Sequence, residues 1–138
     1  MSLFVLDASI VLTWCFPDEH SDIAGHVAAM FKHGDSAIAP SFWPHEILNA
    51  LLAGEKRKRI TKTLITSFLD QLVQLPVELT LVAPDGVFER IHSLSREHGL
   101  TAYDAAYLDA ALETKLPLAT LDADLARACK NAGGVLIS

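Results

Sequence analysis

Short apolar runs alternate with amphipathic stretches along this chain. Residues 3–6 form a continuous apolar run that ends at Asp7, which is typical of a strand buried on both faces of a parallel sheet. Further strands are predicted at residues 37–40, 77–81, 116–121 and 135–137. The strict alternation within 77–81 indicates an edge strand or a half-exposed one.

Helices are predicted between these strands because apolar positions recur there with helical spacing. The Pro-Asp-Glu sequence at residues 17–19 suits the first turn of one helix, and Ser41 suits the N-cap of another. Thr101 and Asp104 have the spacing of a capping box. The predicted helices cover residues 8–15, 19–33, 42–54, 61–75, 84–99, 101–113 and 123–131.

This alternation predicts an α/β fold, a three-layer α/β/α sandwich with a central, mainly parallel sheet of four to five strands. A length of 138 residues is typical of one domain, so residues 1–138 are expected to form a single unit. Apolar residues make up 51% of the chain and charged residues 20%, which excludes a disordered protein.

The chain has no signal-peptide pattern and no apolar run near the roughly 20 residues that a membrane span requires. A soluble, cytoplasmic protein is therefore expected. Cys15 and Cys129 lie in no CxxC motif or Cys/His cluster, so both are expected to be reduced thiols.

The formal net charge is −6, which argues against a general nucleic-acid binder, since such proteins are usually basic. Five of the eleven cationic residues nevertheless lie within one short basic run, made up of Lys56, Arg57, Lys58, Arg59 and Lys62. This run either contacts the phosphates of an RNA or forms a solvated helix end.

Four acidic residues are predicted to share one edge of the sheet. Asp7 and Asp122 directly follow predicted strands, and Glu46 lies near the start of the helix after the second strand. Asp104 begins a helix that runs antiparallel to the next strand, so the start of that helix returns to the same edge. Ligands bind at this carboxyl edge in open α/β sheets. The lateral distances depend on strand order, which sequence spacing does not determine.

Each acid alone has a structural explanation as a helix cap or first-turn residue. Taken together, three of the four have a hydroxyl close by in sequence, on Ser9, Thr101 or Thr120. Clustered carboxylates raise one another's pKa unless a cation lies among them. An all-oxygen set suits Mg²⁺ or Mn²⁺, and no His/Cys set suggests zinc. Such ions commonly activate water for phosphodiester hydrolysis.

These motifs resemble those of the PIN-domain ribonucleases, and among them the VapC-type toxins of toxin–antitoxin pairs. The resemblance covers essentially the whole chain, and its last two motifs are the most specific. The matching segments are LDAS at 6–9, the stretch 40–49 that contains Glu46 and Asn49, LTAYDAAY at 100–107 and LATLDADL at 118–125.

The resemblance implies a parallel sheet whose first strand is central and lies next to the fourth, so that the four acids meet. Asp7, Glu46, Asp104 and Asp122 would hold one or two Mg²⁺ or Mn²⁺ ions. A water oriented there would attack an RNA phosphodiester in line, leaving a 5′-phosphate and a 3′-hydroxyl.

Neighbouring residues would support such a site. Asp124 is either an additional ligand or a solvated acid in the first turn of a helix. Ser9 and Thr120 would hold the carboxylates and the water in place. Asn49, one helical turn beyond Glu46, either reaches the same edge or is simply exposed.

Four aromatic residues are candidates for contact with a partner protein: Trp14, Phe16, Phe42 and Trp43. They either pack in the core or line an apolar groove for a partner helix. The resemblance implies that a cognate VapB-type antitoxin occupies such a groove and that the toxin is a homodimer.

Two other classes of function stay open. A phosphotransfer enzyme would use Asp7 as a nucleophile, but position 9 is serine where a second acid would be expected, and no lysine ends a late strand. A non-catalytic binding module on the same fold would be indicated by a missing acid, and all four acids are present.

Overall fold

Four parallel strands form a central sheet in the computed structural model, which describes residues 2–138. The strands are β1 (Leu3–Leu6), β2 (Ser36–Pro40), β3 (Val77–Thr80) and β4 (Leu118–Ala119). The helices are α1 (Ala8–Cys15), α2 (Asp22–Lys32), α3 (Trp43–Lys56), α4 (Lys62–Leu72), α5 (Pro84–Gly86), α6 (His92–His98), α7 (Ala102–Thr114) and α8 (Ala123–Asn131), with a π-helical turn (Val87–Ile91) between α5 and α6.

The strand order is β3-β2-β1-β4, so β1 is central and lies beside β4. Val5 is in register with Ile38 on one side and with Leu118 on the other. Phe4, Val5 and Leu6 are fully buried, because a parallel strand covered by helices on both faces needs apolar side chains at every position. The predicted parallel sheet flanked by helices is confirmed, as is the edge position of β3.

The C-terminal strand predicted at residues 135–137 is wrong. Leu136 forms only an isolated bridge with Leu118, although the backbone N–H of Leu118 donates to Val135 and that of Ile137 donates to Leu118. The reason is that β4, the neighbour of this segment, has only two residues instead of the six predicted for it, so no longer ladder forms.

Two predicted helix starts are also wrong. Helix α2 begins at Asp22, and Ser21 caps it by accepting a hydrogen bond from the N–H of Ala24, whereas residues 17–19 lie before it in the loop. Helix α3 begins at Trp43 after Phe42, and no side chain of residues 2–138 caps it. The first start was wrong because the acids at 18 and 19 bind a distant arginine, as described below.

Helix α3 also continues to Lys56, past its predicted end at Gly54. A Cβ atom at Gly54 would lie 2.5 Å from the ring of Phe16, so glycine here permits close packing and does not end the helix. Thr61 and Thr101 both cap their helices by accepting from the backbone N–H groups of Leu64 and Asp104. Among residues 2–138, the second bond of the predicted capping box, from the N–H of Thr101 to the carboxyl of Asp104, is absent. Within residues 2–138, no helix is both long and apolar enough to cross a bilayer.

Candidate functional site

Asp7 lies where β1 leaves the sheet, and its side chain is held by two hydroxyl groups. Thr120 and Ser9 both donate to Oδ2 of Asp7, at 2.6 Å and 2.8 Å. The residue is only 5% exposed. Burial raises the pKa of Asp7, the two hydroxyls oppose that shift, and the charge of Asp122 adds to it. The ionised form of Asp7 is therefore destabilised by burial, and the two hydrogen bonds fix the orientation of its carboxylate.

The same two hydroxyls connect Asp7 to the loop before α8. Ser9 Oγ accepts a hydrogen bond from the N–H of Leu121 at 3.0 Å, and Thr120 Oγ1 accepts one from the N–H of Asp122 at 3.0 Å. Asp122 in turn caps α8, because its Oδ1 accepts from the N–H of Leu125 at 2.9 Å. The adjacency of β1 and β4 thus brings Asp7 and Asp122 to one hydrogen-bonded edge.

Glu46 reaches this edge from the first turn of α3. The hydroxyl of Tyr107 donates to Glu46 Oε1 at 2.5 Å. Burial raises the pKa of Glu46 most, and the charges of Asp7 and Asp104 raise it further, whereas the hydrogen bond from Tyr107 lowers it. The three acids are therefore close enough to repel one another.

Asp104 lies in the first turn of α7 and is half-buried. Its backbone N–H donates to Oγ1 of the capping residue Thr101 at 3.1 Å. Burial, followed by the charges of Asp122 and Asp7, raises the pKa of Asp104 from 3.8 to about 6. The pKa of this carboxyl therefore lies well above its usual range, first because the group is half-buried and second because negative charge is concentrated around it.

The structure brings all four acids to one edge of the sheet, but their carboxylates do not converge on a single point. Within residues 2–138, no three His, Cys, Asp or Glu side chains lie close enough together to hold one metal ion. The side chains of Asp7, Glu46 and Asp122 instead turn to hydroxyl and amide donors of the protein. The chemistry of the set nevertheless fits a hard divalent cation, because the donors are carboxylate oxygens whose mutual repulsion a cation would relieve.

Two other candidate residues lie at the margin of the cluster. Asp124 is exposed and pairs with Arg127 at 3.0 Å, yet it is near enough for its charge to raise the pKa of Asp104. Asn49 is exposed on α3, and within residues 2–138 it makes no hydrogen bond to the four acids.

All residues of the basic run are exposed, but Arg59 is also paired with two acids. Arg59 contacts Asp18 at 3.1 Å and Glu19 at 2.9 Å, and its guanidinium lies 4.4 Å from the ring centre of Phe16. Lys56, Arg57 and Lys58 are exposed at the end of α3. Arg59 therefore anchors the loop between α1 and α2.

A cleft of about 380 Å³ joins the basic run to the acidic cluster. Arg57 and Arg59 line one part of it, and Ser9 and Asp122 line another. A bound polyanion would therefore find cationic side chains beside the acidic edge.

The four aromatic residues divide between the two predicted alternatives, because three pack in or against the core whereas Phe42 also lines an apolar cleft with Leu81 and Tyr103. Phe16 and Trp43 are buried, whereas Trp14 and Phe42 are half-buried against the core. Sequence reasoning missed Tyr107, which contacts Glu46. A signal was present, because Tyr107 lies one turn after Asp104 and so shares its helix face.

The chain matches one protein family by sequence, and several solved structures are similar to it. A sequence model of the PIN domain family matches residues 4–131. No curated protein sequence matched the chain.

Three solved structures have the same fold. PAE2754 from Pyrobaculum aerophilum is 21% identical with a TM-score of 0.70, over 99% of this chain and 90% of that one. VapBC2 from Rickettsia felis, bound to a DNA fragment from their promoter, is 14% identical with a TM-score of 0.65, over 97% and 96%. FitAcB from Neisseria gonorrhoeae is 16% identical with a TM-score of 0.64, over 100% and 97%. At these identities, the likeness is one of fold.

Proposed function

Because this chain belongs to the PIN domain family, we propose that it is a metal-dependent endoribonuclease that hydrolyses RNA phosphodiester bonds. Members of this family are nucleases and generally use divalent metal ions. The observation that supports the proposal is the arrangement of four acids from separate elements. Asp7 and Asp122 are linked through Thr120 where β1 and β4 end, and Glu46 and Asp104 lie in the first turns of α3 and α7.

Asp7, Glu46, Asp104 and Asp122 would hold Mg²⁺ or Mn²⁺, with Asp124 able to contribute from the first turn of α8. The ion, when bound, supplies a more acidic water and stabilises charge on the phosphate. A cation would have to draw the carboxylates closer together than they lie without it, which their charge favours.

The protein's own groups orient the site and the substrate. Ser9 and Thr120 fix one oxygen of Asp7, which leaves the other oxygen free to serve as a ligand. Arg57, at the cleft beside Asp122, would contact a phosphate of the RNA, and Lys56 and Lys58 would extend that contact along the strand. Arg59 is committed to Asp18 and Glu19, so a smaller role in RNA binding is assigned to it.

The test is cleavage of single-stranded RNA by the purified protein. Cleavage is expected with Mg²⁺ or Mn²⁺, should stop on addition of EDTA, and should return when the ion is supplied in excess. The products should carry 5′-phosphates and 3′-hydroxyls. Cleavage that continues in EDTA would contradict the proposal. A stable phosphoryl-aspartate formed from a phosphodonor would favour phosphotransfer instead.

We further propose that the nuclease is the toxin of a VapBC-type pair, acts in the cytoplasm, and binds a VapB-type antitoxin. The support is that two of the similar structures, VapBC2 and FitAcB, match over nearly the full length of both chains. A small upstream reading frame overlapping this gene and encoding an antitoxin-like protein would support the pairing.

A homodimer is proposed with the outer edge of β3 in its interface. This edge has no neighbouring strand in the four-stranded sheet, and exposed strand edges favour association. Leu81, which directly follows β3, is 85% exposed. It shares an apolar cleft with Tyr103, which is 58% exposed, and exposed apolar groups on one surface favour association.

Light scattering tests the homodimer. Wild-type protein should have twice the chain mass of 15.0 kDa, and Leu81→Asp should weaken the dimer because it introduces a charge into an apolar interface. Val73→Asp, which changes an equally exposed residue following α4, is the matched control. A monomeric wild-type protein would overturn the homodimer.

A further inference from the structure

Tyr107 is buried, and its hydroxyl is directed at the acidic cluster. The side chain is 0% exposed, and its O–H donates to Glu46 Oε1 at 2.5 Å across 61 positions of sequence. A buried phenol needs a partner for its O–H, because an unpaired polar group in the interior is costly. The contact between Tyr107 and Glu46 therefore ties helix α7 to helix α3 at the edge of the site.

Aromatic packing sets the position of the hydroxyl. The ring of Tyr107 packs edge-on against Phe42, with ring centres 5.6 Å apart at 84°. Phe42 lies one helical turn before Glu46, whose backbone N–H donates to the carbonyl oxygen of Phe42. The packing therefore limits movement of the phenol relative to Glu46.

We propose that Tyr107 is a positioning residue that holds Glu46 in the orientation needed to bind a divalent cation, an inference that rests on the proposed function. Glu46 has three rotatable side-chain bonds and is repelled by Asp7 and Asp104. Without a donor, it would turn towards solvent and lose part of its contact with the cluster. Tyr107 occupies one of its oxygens and leaves the other for the cation.

The direction of the hydrogen bond is fixed by the environment. An ionised carboxylate only accepts hydrogen bonds, so the phenol O–H of Tyr107 is the donor and Oε1 of Glu46 is the acceptor. A donor held at this oxygen stabilises the charged carboxylate, which is the form that binds cations.

The chain offers a matched pair of variants. Tyr107→Phe and Tyr103→Phe each remove one phenol hydroxyl from α7, and both rings pack against Phe42, at 5.6 Å and 5.0 Å between ring centres. Tyr103 is 58% exposed, and only the hydroxyl of Tyr107 reaches Glu46. A difference between the two variants would therefore report the hydrogen bond and not the loss of aromatic packing.

Mn²⁺ binding is measured directly on the purified protein, by calorimetry and by the electron paramagnetic resonance signal of free Mn²⁺. Tyr107→Phe should weaken binding by about tenfold, as the loss of a ligand's hydrogen-bond partner does in metal sites. Tyr103→Phe should bind Mn²⁺ as the wild-type protein does. In RNA cleavage at fixed Mn²⁺, kcat of Tyr107→Phe should fall while KM for RNA is retained.

A double-mutant cycle with Glu46→Gln separates positioning from general damage. In the Glu46→Gln background, Tyr107→Phe should cause little further loss of Mn²⁺ binding, because the carboxylate it positions is already absent. A slowly exchanging Tyr107 hydroxyl proton, visible by NMR in wild-type protein and lost in Glu46→Ala, would support the same contact without any change at Tyr107.

The outcomes distinguish the two levels of the proposal. If Tyr107→Phe binds Mn²⁺ with wild-type affinity, or if the losses in the cycle are additive, the positioning role of Tyr107 is overturned. The proposed nuclease function would not be affected by either result. A wild-type protein that neither binds Mn²⁺ nor cleaves RNA would overturn both.

Discussion

Replacing Asp7 by asparagine is expected to abolish RNA cleavage while leaving the fold intact. Asp7 is the most buried of the four acids, and Ser9 and Thr120 both orient it. Loss of a ligand's outer partner costs about 10–100-fold, so loss of the ligand itself should exceed about 100-fold. The rate of cleavage of a labelled RNA, with saturating Mn²⁺, is the measurement.

Two comparisons make the Asp7→Asn experiment specific. Asp70→Asn changes an exposed aspartate on α4 outside the cluster, and it should cleave RNA at the wild-type rate. The melting temperature of Asp7→Asn should be no lower than that of the wild-type protein, because asparagine removes a buried charge. If growth is arrested by expression of the wild-type chain and equally by that of Asp7→Asn, catalysis at this edge is not the cause of toxicity.

Asp104→Asn is expected to change activity and stability in opposite directions. Cleavage should fall by more than about 100-fold, for the reason given for Asp7, whereas the free energy of unfolding should rise at pH 7. The helix cap, in which the backbone N–H of residue 104 donates to Oγ1 of Thr101, does not involve the carboxyl. The variant therefore retains this hydrogen bond. An unchanged cleavage rate in Asp104→Asn would remove this residue from the site.

The pH dependence of that stability gain follows from the sign of the shift. The pKa of Asp104 is raised from 3.8 to about 6 in the folded protein, so the folded state binds a proton more tightly than the unfolded chain. The destabilisation caused by the ionised carboxyl is therefore absent below pH 3.8 and complete above about pH 6.

Asp104→Asn should remove this cost at pH 7 and have no effect near pH 3.5. Because the group is partly exposed, we expect a gain on the order of 1 kcal/mol, after allowance for solvent screening. Thermal unfolding in EDTA at the two pH values measures it. If the melting temperature of the variant rises equally at both pH values, the gain in stability does not come from removal of the charge.

The sequence was least informative where distant side chains compete with local signals. Residues 17–19 have the composition of a helix first turn, but Asp18 and Glu19 lie in the loop and bind Arg59 about forty positions away. The same contact leaves Arg59 less free than the other residues of the basic run to bind a phosphate, although it stays exposed. No local pattern contains this information, because an ion pair depends on how α3 packs against the loop after α1.

The amino-acid sequence was sufficient to predict four of the five proposed strands, the parallel sheet, and the carboxyl edge at which Asp7, Glu46, Asp104 and Asp122 were expected. These follow from hydrophobic periodicity and chain direction, which are local properties. Sequence spacing did not give the order β3-β2-β1-β4, of which the family resemblance implied only that β1 is central and lies beside β4. The two-residue length of β4 and the contact of Tyr107 with Glu46 appear only in the folded chain. Such features depend on packing between elements far apart in sequence, whose shapes fit only once the whole core is assembled.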